Sequence, residues 1–113
     1  MGPIWGIDLG GTKIEGVVLE DRDNPVVLRR SRLATERDKG YQHILLQIAK
    51  LVEVLSSEVG IRPTRIGIAH PGALDPSSQL LKNSNTTVLN GMPIKEDLEE
   101  TLGIPIKLSL IHI

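Results

Sequence analysis

The chain has 113 residues, enough for one domain, with 40% hydrophobic and 24% charged residues, the balance of an ordinary globular protein. It has no cysteine, which rules out disulfides, thiolate zinc sites and cysteine nucleophiles within it, and a single Trp, a single Tyr and no Phe predict an aliphatic core. A net charge of -1 with dispersed Lys and Arg leaves no electrostatic footprint for nucleic acid or an anionic membrane, and no membrane-spanning run or secretory signal is visible, so a cytoplasmic location is expected.

Ile4 to Leu9 is a short apolar run that ends in Asp8-Leu9 and meets the pair Gly10-Gly11. A second β-branched run covers residues 12 to 19, so the two are expected to form a hairpin. After a turn at Asp21 to Pro25, Val26 to Leu33 predicts a third strand. The period then changes. Tyr41, Ile44, Leu45, Ile48, Leu51, Val52, Leu55 and Val59 recur at three- and four-residue steps, with His43, Gln47, Lys50 and Glu53 between them. That pattern predicts an amphipathic helix from near Asp38, closed by Gly60.

Arg65 to Ala69 reads as a buried strand leading into His70-Pro71-Gly72, and Pro76 to Pro93 as a loop rich in Pro, Ser and Asn. A second helix fits Ile94 to Leu102, with Ile94, Leu98 and Leu102 on one face and Gly103 past its end. Ile104 to Leu110 reads as a last strand. The order β-β-β-α-β-α-β predicts an α/β domain with a mixed sheet covered by helices.

The sharpest chemical feature is Gly6-Ile7-Asp8-Leu9-Gly10-Gly11-Thr12-Lys13. Paired glycines open dihedrals closed to other residues and remove side chains that would block a ligand, so backbone N–H groups can converge on a phosphate oxygen. Thr12 offers a hydroxyl and Lys13 a positive charge, while Asp8 can hold Mg²⁺ directly or through water. The bland alternative is a plain hairpin turn with Asp8 solvated and Lys13 on the surface. The Walker spacing is absent.

This run resembles the first phosphate motif of sugar kinases in the actin/hexokinase superfamily, and IDLGGTKIEG (7 to 16) is most similar to the ROK family. Residues 66 to 76 (IGIAHPGALDP) and 80 to 105 resemble the strand, loop and helix that follow in its fructokinase-like members. The resemblance implies a ribonuclease H-like N-terminal lobe over residues 1 to 109. It also implies ATP and Mg²⁺ as cofactors, with Gly6 to Lys13 beside the phosphates. Pro71, Gly72, Asn85, Asn90 and Gly91 are implied to lie near a hexose, fructose or mannose ahead of glucose and N-acetylglucosamine. Each Asn serves equally well as a plain loop former. His70, where the family has a small or aliphatic residue, is expected to be structural or exposed.

The resemblance breaks at the end. In the family the last strand runs into Asn-Asp-Ala-Asn, whose Asp is the general base, and here Ile111 stands at that position, with His112 one position off. Residues 110 to 113 are therefore expected to be a tail outside the lobe, of the kind sequencing read-through produces. The family's second lobe, the rest of its ATP site and its Cys/His zinc motif lie in its downstream sequence, so zinc and the homodimer state belong to the intact parent. The expected activity is ATP-dependent hexose phosphorylation by the parent, with this piece inactive alone. The alternatives are a non-catalytic nucleotide- or sugar-binding module and a sugar-responsive repressor. The repressor is disfavoured because its helix-turn-helix would precede the first strand.

Overall fold

The computed structural model describes residues 3–21, 23, 26–70, 73–74, 81–82 and 91–110. Strands β1 (Ile4–Leu9), β2 (Lys13–Leu19) and β3 (Val27–Ala34) form an antiparallel meander. Helix α1 (Tyr41–Val59) then crosses to β4 (Ile66–His70), and α2 (Ile94–Leu102) carries the chain to the last strand, Ile106–Leu110. Between β4 and α2, Ala73–Leu74 (β5) pairs with Leu81–Lys82 (β6) as a short two-stranded ladder, so the last strand is β7. The main sheet has the order β3-β2-β1-β4-β7, with β4 parallel to both β1 and β7.

Alternation along the strands decides which face is covered. Trp5, Ile7 and Leu9 of β1, Ile14 and Val18 of β2, Ile66 and Ile68 of β4 and Ile106 of β7 are all buried. They meet Ile44, Ile48, Leu51 and Leu55 of α1 and Ile94 and Leu98 of α2 in one core cluster. The core is aliphatic as expected, with Trp5 and Tyr41 its two aromatic members.

Several boundaries differ from the sequence expectation, each for a local reason. The first helix starts at Tyr41 rather than near Asp38, because Arg37–Lys39 close a 3-10 turn and Gly40, at φ 96°, separates it from α1. Both helices end where expected. Gly60 (φ 78°) and Gly103 (φ 72°) take the left-handed conformation, and their N–H groups donate to Ser56 O and Glu99 O. The last strand starts at Ile106, since Pro105 has no N–H to pair, although its carbonyl accepts the Ile66 N–H at 3.2 Å. The third strand runs one residue later than expected, Val27–Ala34, and the buried strand after α1 likewise occupies Ile66–His70. The stretch expected to be an unstructured loop, 76 to 93, holds one strand of the β5–β6 ladder. Ile111, His112 and the rest of the expected tail from 111 lie outside the described residues.

Candidate functional site: the Gly10–Lys13 turn

The hairpin between β1 and β2 is tight. Leu9 pairs with Ile14, and the Gly10 N–H donates to Lys13 O at 3.1 Å. The glycines do not supply the unusual dihedrals that their pairing implies. The positive-φ glycines among the described residues are Gly40, Gly60, Gly91 and Gly103, so Gly10 and Gly11 are not left-handed. Gly10 is required by proximity: a Cβ there would stand 2.7 Å from Lys13 O, a backbone atom that can move only if the turn opens.

Of the residues expected at the phosphates, Ile7 and Leu9 bury their side chains in the core, leaving only their main chain for a ligand. Gly6 and Asp8 lie on the opposite face of β1, Asp8 exposed, and Thr12 and Lys13 are exposed at the turn. The donor set is therefore one carboxylate, one hydroxyl, one ammonium and the turn's own amides. Among the described residues no group of three His, Cys, Asp or Glu converges on a point, and Glu15, which the hairpin register sets opposite Asp8, is tied to Arg30 at 2.6 Å. Asp8 suits Mg²⁺ carried by phosphates, a metal that keeps its waters and takes one or two protein carboxylates.

The register of the parallel strands aligns the carboxyl ends of β1, β4 and β7 at one edge of the sheet. Asp8 of β1 pairs with Ala69 of β4, and Ala69 with Ser109 of β7. The carboxyl ends of three adjacent strands thus lead to the glycine turn, to Pro71-Gly72 and to position 111. In open α/β sheets that edge is where ligands bind. Pro71, Gly72, Asn85, Asn90 and Ile111 themselves lie outside the described residues, and Gly91, exposed with φ 77°, is the one described member of the expected sugar set.

Residues that the sequence reading passed over hold the turn from behind. Thr35, fully buried just past β3, donates from Oγ1 to Gly10 O at 2.8 Å, and its N–H donates to Thr12 O at 3.0 Å. Its neighbours on both sides are fixed. Gln47 of α1 donates from Nε2 to Ala34 O at 2.7 Å, and Glu36 bonds His43 Nε2 at 2.8 Å and Lys39 Nζ at 3.0 Å. The His43 contact first, then Lys39, holds the Glu36 carboxyl below the usual carboxylate range. Gln47 was expected among the polar residues of the helix, but it is buried. Its spacing carried the signal, because it follows Ile44 by three and precedes Leu51 by four on the apolar stripe.

A hollow of about 320 Å³ lies elsewhere, lined by Glu53, Ser56, Ser57, Gly60, Ile61 and Arg62 at the C-terminal end of α1. It has no part in the turn. Gln47 reaches the β3 end beside the turn, whereas Glu58, near the hollow, reaches Arg29 toward the other end of that strand.

A meander followed by α-β crossovers in a five-stranded mixed sheet, with a glycine turn at the carboxyl edge, is the arrangement of a ribonuclease H-like lobe of the actin/hexokinase superfamily. Residues 4–110 match the model of the ROK family, and the chain belongs to that family. It is 32% identical over 103 residues to the N-acetyl-D-glucosamine kinase of Vibrio cholerae, covering 91% of this chain and 33% of the relative. The ROK hexokinase of Thermus thermophilus superposes with a TM-score of 0.79 at 30% identity, over 96% of this chain and 35% of that one. The inorganic polyphosphate/ATP-glucomannokinase of an Arthrobacter strain superposes with a TM-score of 0.77 at 25% identity, over 96% of this chain and 44% of that one. The chain spans about a third of the length of the curated relatives it matches. These relatives are sugar kinases.

Proposed function

We propose that this chain is the phosphate-binding part of an ATP-dependent hexose kinase, with the Gly10–Lys13 turn beside the ATP phosphates and Asp8 beside Mg²⁺. The observation that carries the reading is the carboxyl edge of β1, β4 and β7, where parallel pairing aligns Asp8, Ala69 and Ser109 in one row. Phosphoryl transfer asks the protein mainly for positioning and charge stabilisation. The turn amides, the Thr12 hydroxyl and the Lys13 ammonium are donors suited to phosphate oxygens. Pro71, Gly72, Asn85, Asn90 and Gly91 are proposed to border the sugar.

The names of the curated relatives favour N-acetyl-D-glucosamine as the sugar, ahead of the fructose or mannose that the Asn-rich loop implies. Isoleucine at 111, the position of the family's general base, gives a second reading, in which the chain binds nucleotide without turning it over. A missing general base costs roughly 10²–10⁴ in rate.

The test is a titration of the isotope-labelled chain with MgATP, followed through its backbone amides. Shifts concentrated at residues 10 to 13 in the millimolar range support the phosphate site, and a loss of the Mg²⁺ dependence in Asp8→Asn supports the metal role. Saturating MgATP that leaves these amides unmoved sinks both. ADP release measured with N-acetyl-D-glucosamine, glucose, mannose and fructose then separates kinase from binding module.

A further inference from the structure

We propose that Thr35 is the positioning residue of the phosphate turn, a clasp that sets the direction of its amides; this rests on the phosphate-site reading above. Thr35 has no exposed surface, so both of its hydrogen-bond donors must find partners within the protein. They find the same short turn. Oγ1 donates to Gly10 O at 2.8 Å and the backbone N–H to Thr12 O at 3.0 Å, so one residue binds the carbonyls on both sides of Gly11.

Peptide planarity carries the consequence. The chain has no cis peptide bond among its described residues, and in a trans peptide the N–H points opposite to the carbonyl of the same unit. A Gly10 carbonyl drawn toward Thr35 therefore turns the Gly11 N–H away from it, toward the outer side of the turn. An amide aimed before the ligand arrives needs no reorganisation when phosphate binds.

The backbone around Thr35 is arranged to keep it there. Glu36 sits in the left-handed region at φ 54°, the one non-glycine residue to do so among those described, at a cost of roughly 1–2 kcal/mol. Strain of that kind persists only where its surroundings over-determine it. Here Gln47 holds Ala34 on one side, and His43 and Lys39 hold Glu36 on the other. The reversal after β3 thus swings Thr35 beneath the turn, and α1 locks it in that position.

The experiment compares Thr35→Val, which keeps the shape and removes the hydroxyl, with Thr35→Ser, which keeps the hydroxyl. In the ligand-free full chain, Thr35→Val is expected to shift the Gly11 amide resonance, with Thr35→Ser close to wild type. With MgATP as the probe, Thr35→Val is expected to raise Kd about five- to tenfold and Thr35→Ser less than about twofold, the scale of one lost hydrogen bond. Leu98→Ala, a core cavity on α2, serves as the control for lost stability and is expected to leave the Gly11 amide in place.

An unmoved Gly11 amide in Thr35→Val, a failure of Thr35→Ser to restore it, or an equal effect of Leu98→Ala overturns the proposal. If wild type binds no MgATP, the phosphate-site reading falls by itself, and the ligand-free comparison still decides whether Thr35 sets the turn. If Thr35→Val does not fold, the wild-type hydroxyl decides. Bound to Gly10 O, its proton persists as a slowly exchanging resonance with a cross-peak to the Gly10 α protons, and its absence overturns the clasp.

Discussion

Gly16 lies directly beneath α1, where a Cβ would stand 2.6 Å from Leu55 Cδ1 and 3.1 Å from Leu51 Cδ2. Both leucines are fully buried and cannot swing into solvent. Gly16→Ala should therefore push the helix off the sheet and cost about 1–3 kcal/mol, read as a lower urea midpoint with unchanged slope. Gly6 makes the opposite case. Among the described residues its Cβ would meet only Val17 Cγ1, at 3.6 Å, so Gly6→Ala should change stability by no more than about 0.5 kcal/mol. The sequence marks Gly6 as part of the phosphate run and includes Gly16 only as the end of the stretch 7 to 16, with no sign of what it packs against, because both stand in apolar stretches that look alike. What separates them is which face of the sheet each occupies, and that depends on where α1 lands.

The two helices illustrate what a period can and cannot carry. The apolar steps from Tyr41 to Val59 describe α1 correctly, and Gly60 and Gly103 mark the ends of both helices. The start of α1 was not legible. Asp38 looks like a helix-starting residue, but Gly40 divides it from Tyr41 and leaves it in the 3-10 turn. Nor were the bonds that support the site legible: the spacing of Gln47 signals its burial, but Thr35 and Gln47 act through bonds to carbonyls, and a carbonyl has no sequence signature. Gln47→Leu removes the donor to a main-chain carbonyl at the end of β3, and should cost about 1–3 kcal/mol despite the gain in apolar surface. Helix α2 depends on Leu98, fully buried between α1 and the sheet, and Leu98→Ala should cost about 2–5 kcal/mol. Leu46, 63% exposed on the outer side of α1, should accept Lys within about 0.5 kcal/mol. Denaturant curves of these variants test whether the described packing is the packing in solution: a large loss in Leu46→Lys, or none in Leu98→Ala, contradicts it.

At the scale of the whole molecule, Tyr41 ties the start of α1 to α2, its hydroxyl donating to Asp97 Oδ2 at 2.6 Å. It is the one tyrosine in the chain, so its ionisation can be read without interference from another. Burial first, then the Asp97 carboxylate, pushes its phenol well above the usual tyrosine value, since a phenolate there would be desolvated beside a second anion. The sign follows from linkage. Below about pH 10 the phenol is protonated in folded and unfolded chains alike, and its contribution is fully present. Above about pH 10 the unfolded chain loses that proton and the folded chain keeps it, so stability falls, at up to about 1.4 kcal/mol per pH unit. Other groups titrate in the same range, and Tyr41→Phe isolates this one. The variant should be about 1 kcal/mol less stable at neutral pH, for the lost bond to Asp97, yet lose less stability than wild type as pH rises past about 10. In wild type, tyrosinate absorbance should appear together with the loss of helical circular dichroism. If it appears instead with a midpoint near pH 10 while the helices persist, the phenol is solvated, and the α1–α2 junction is not closed as described.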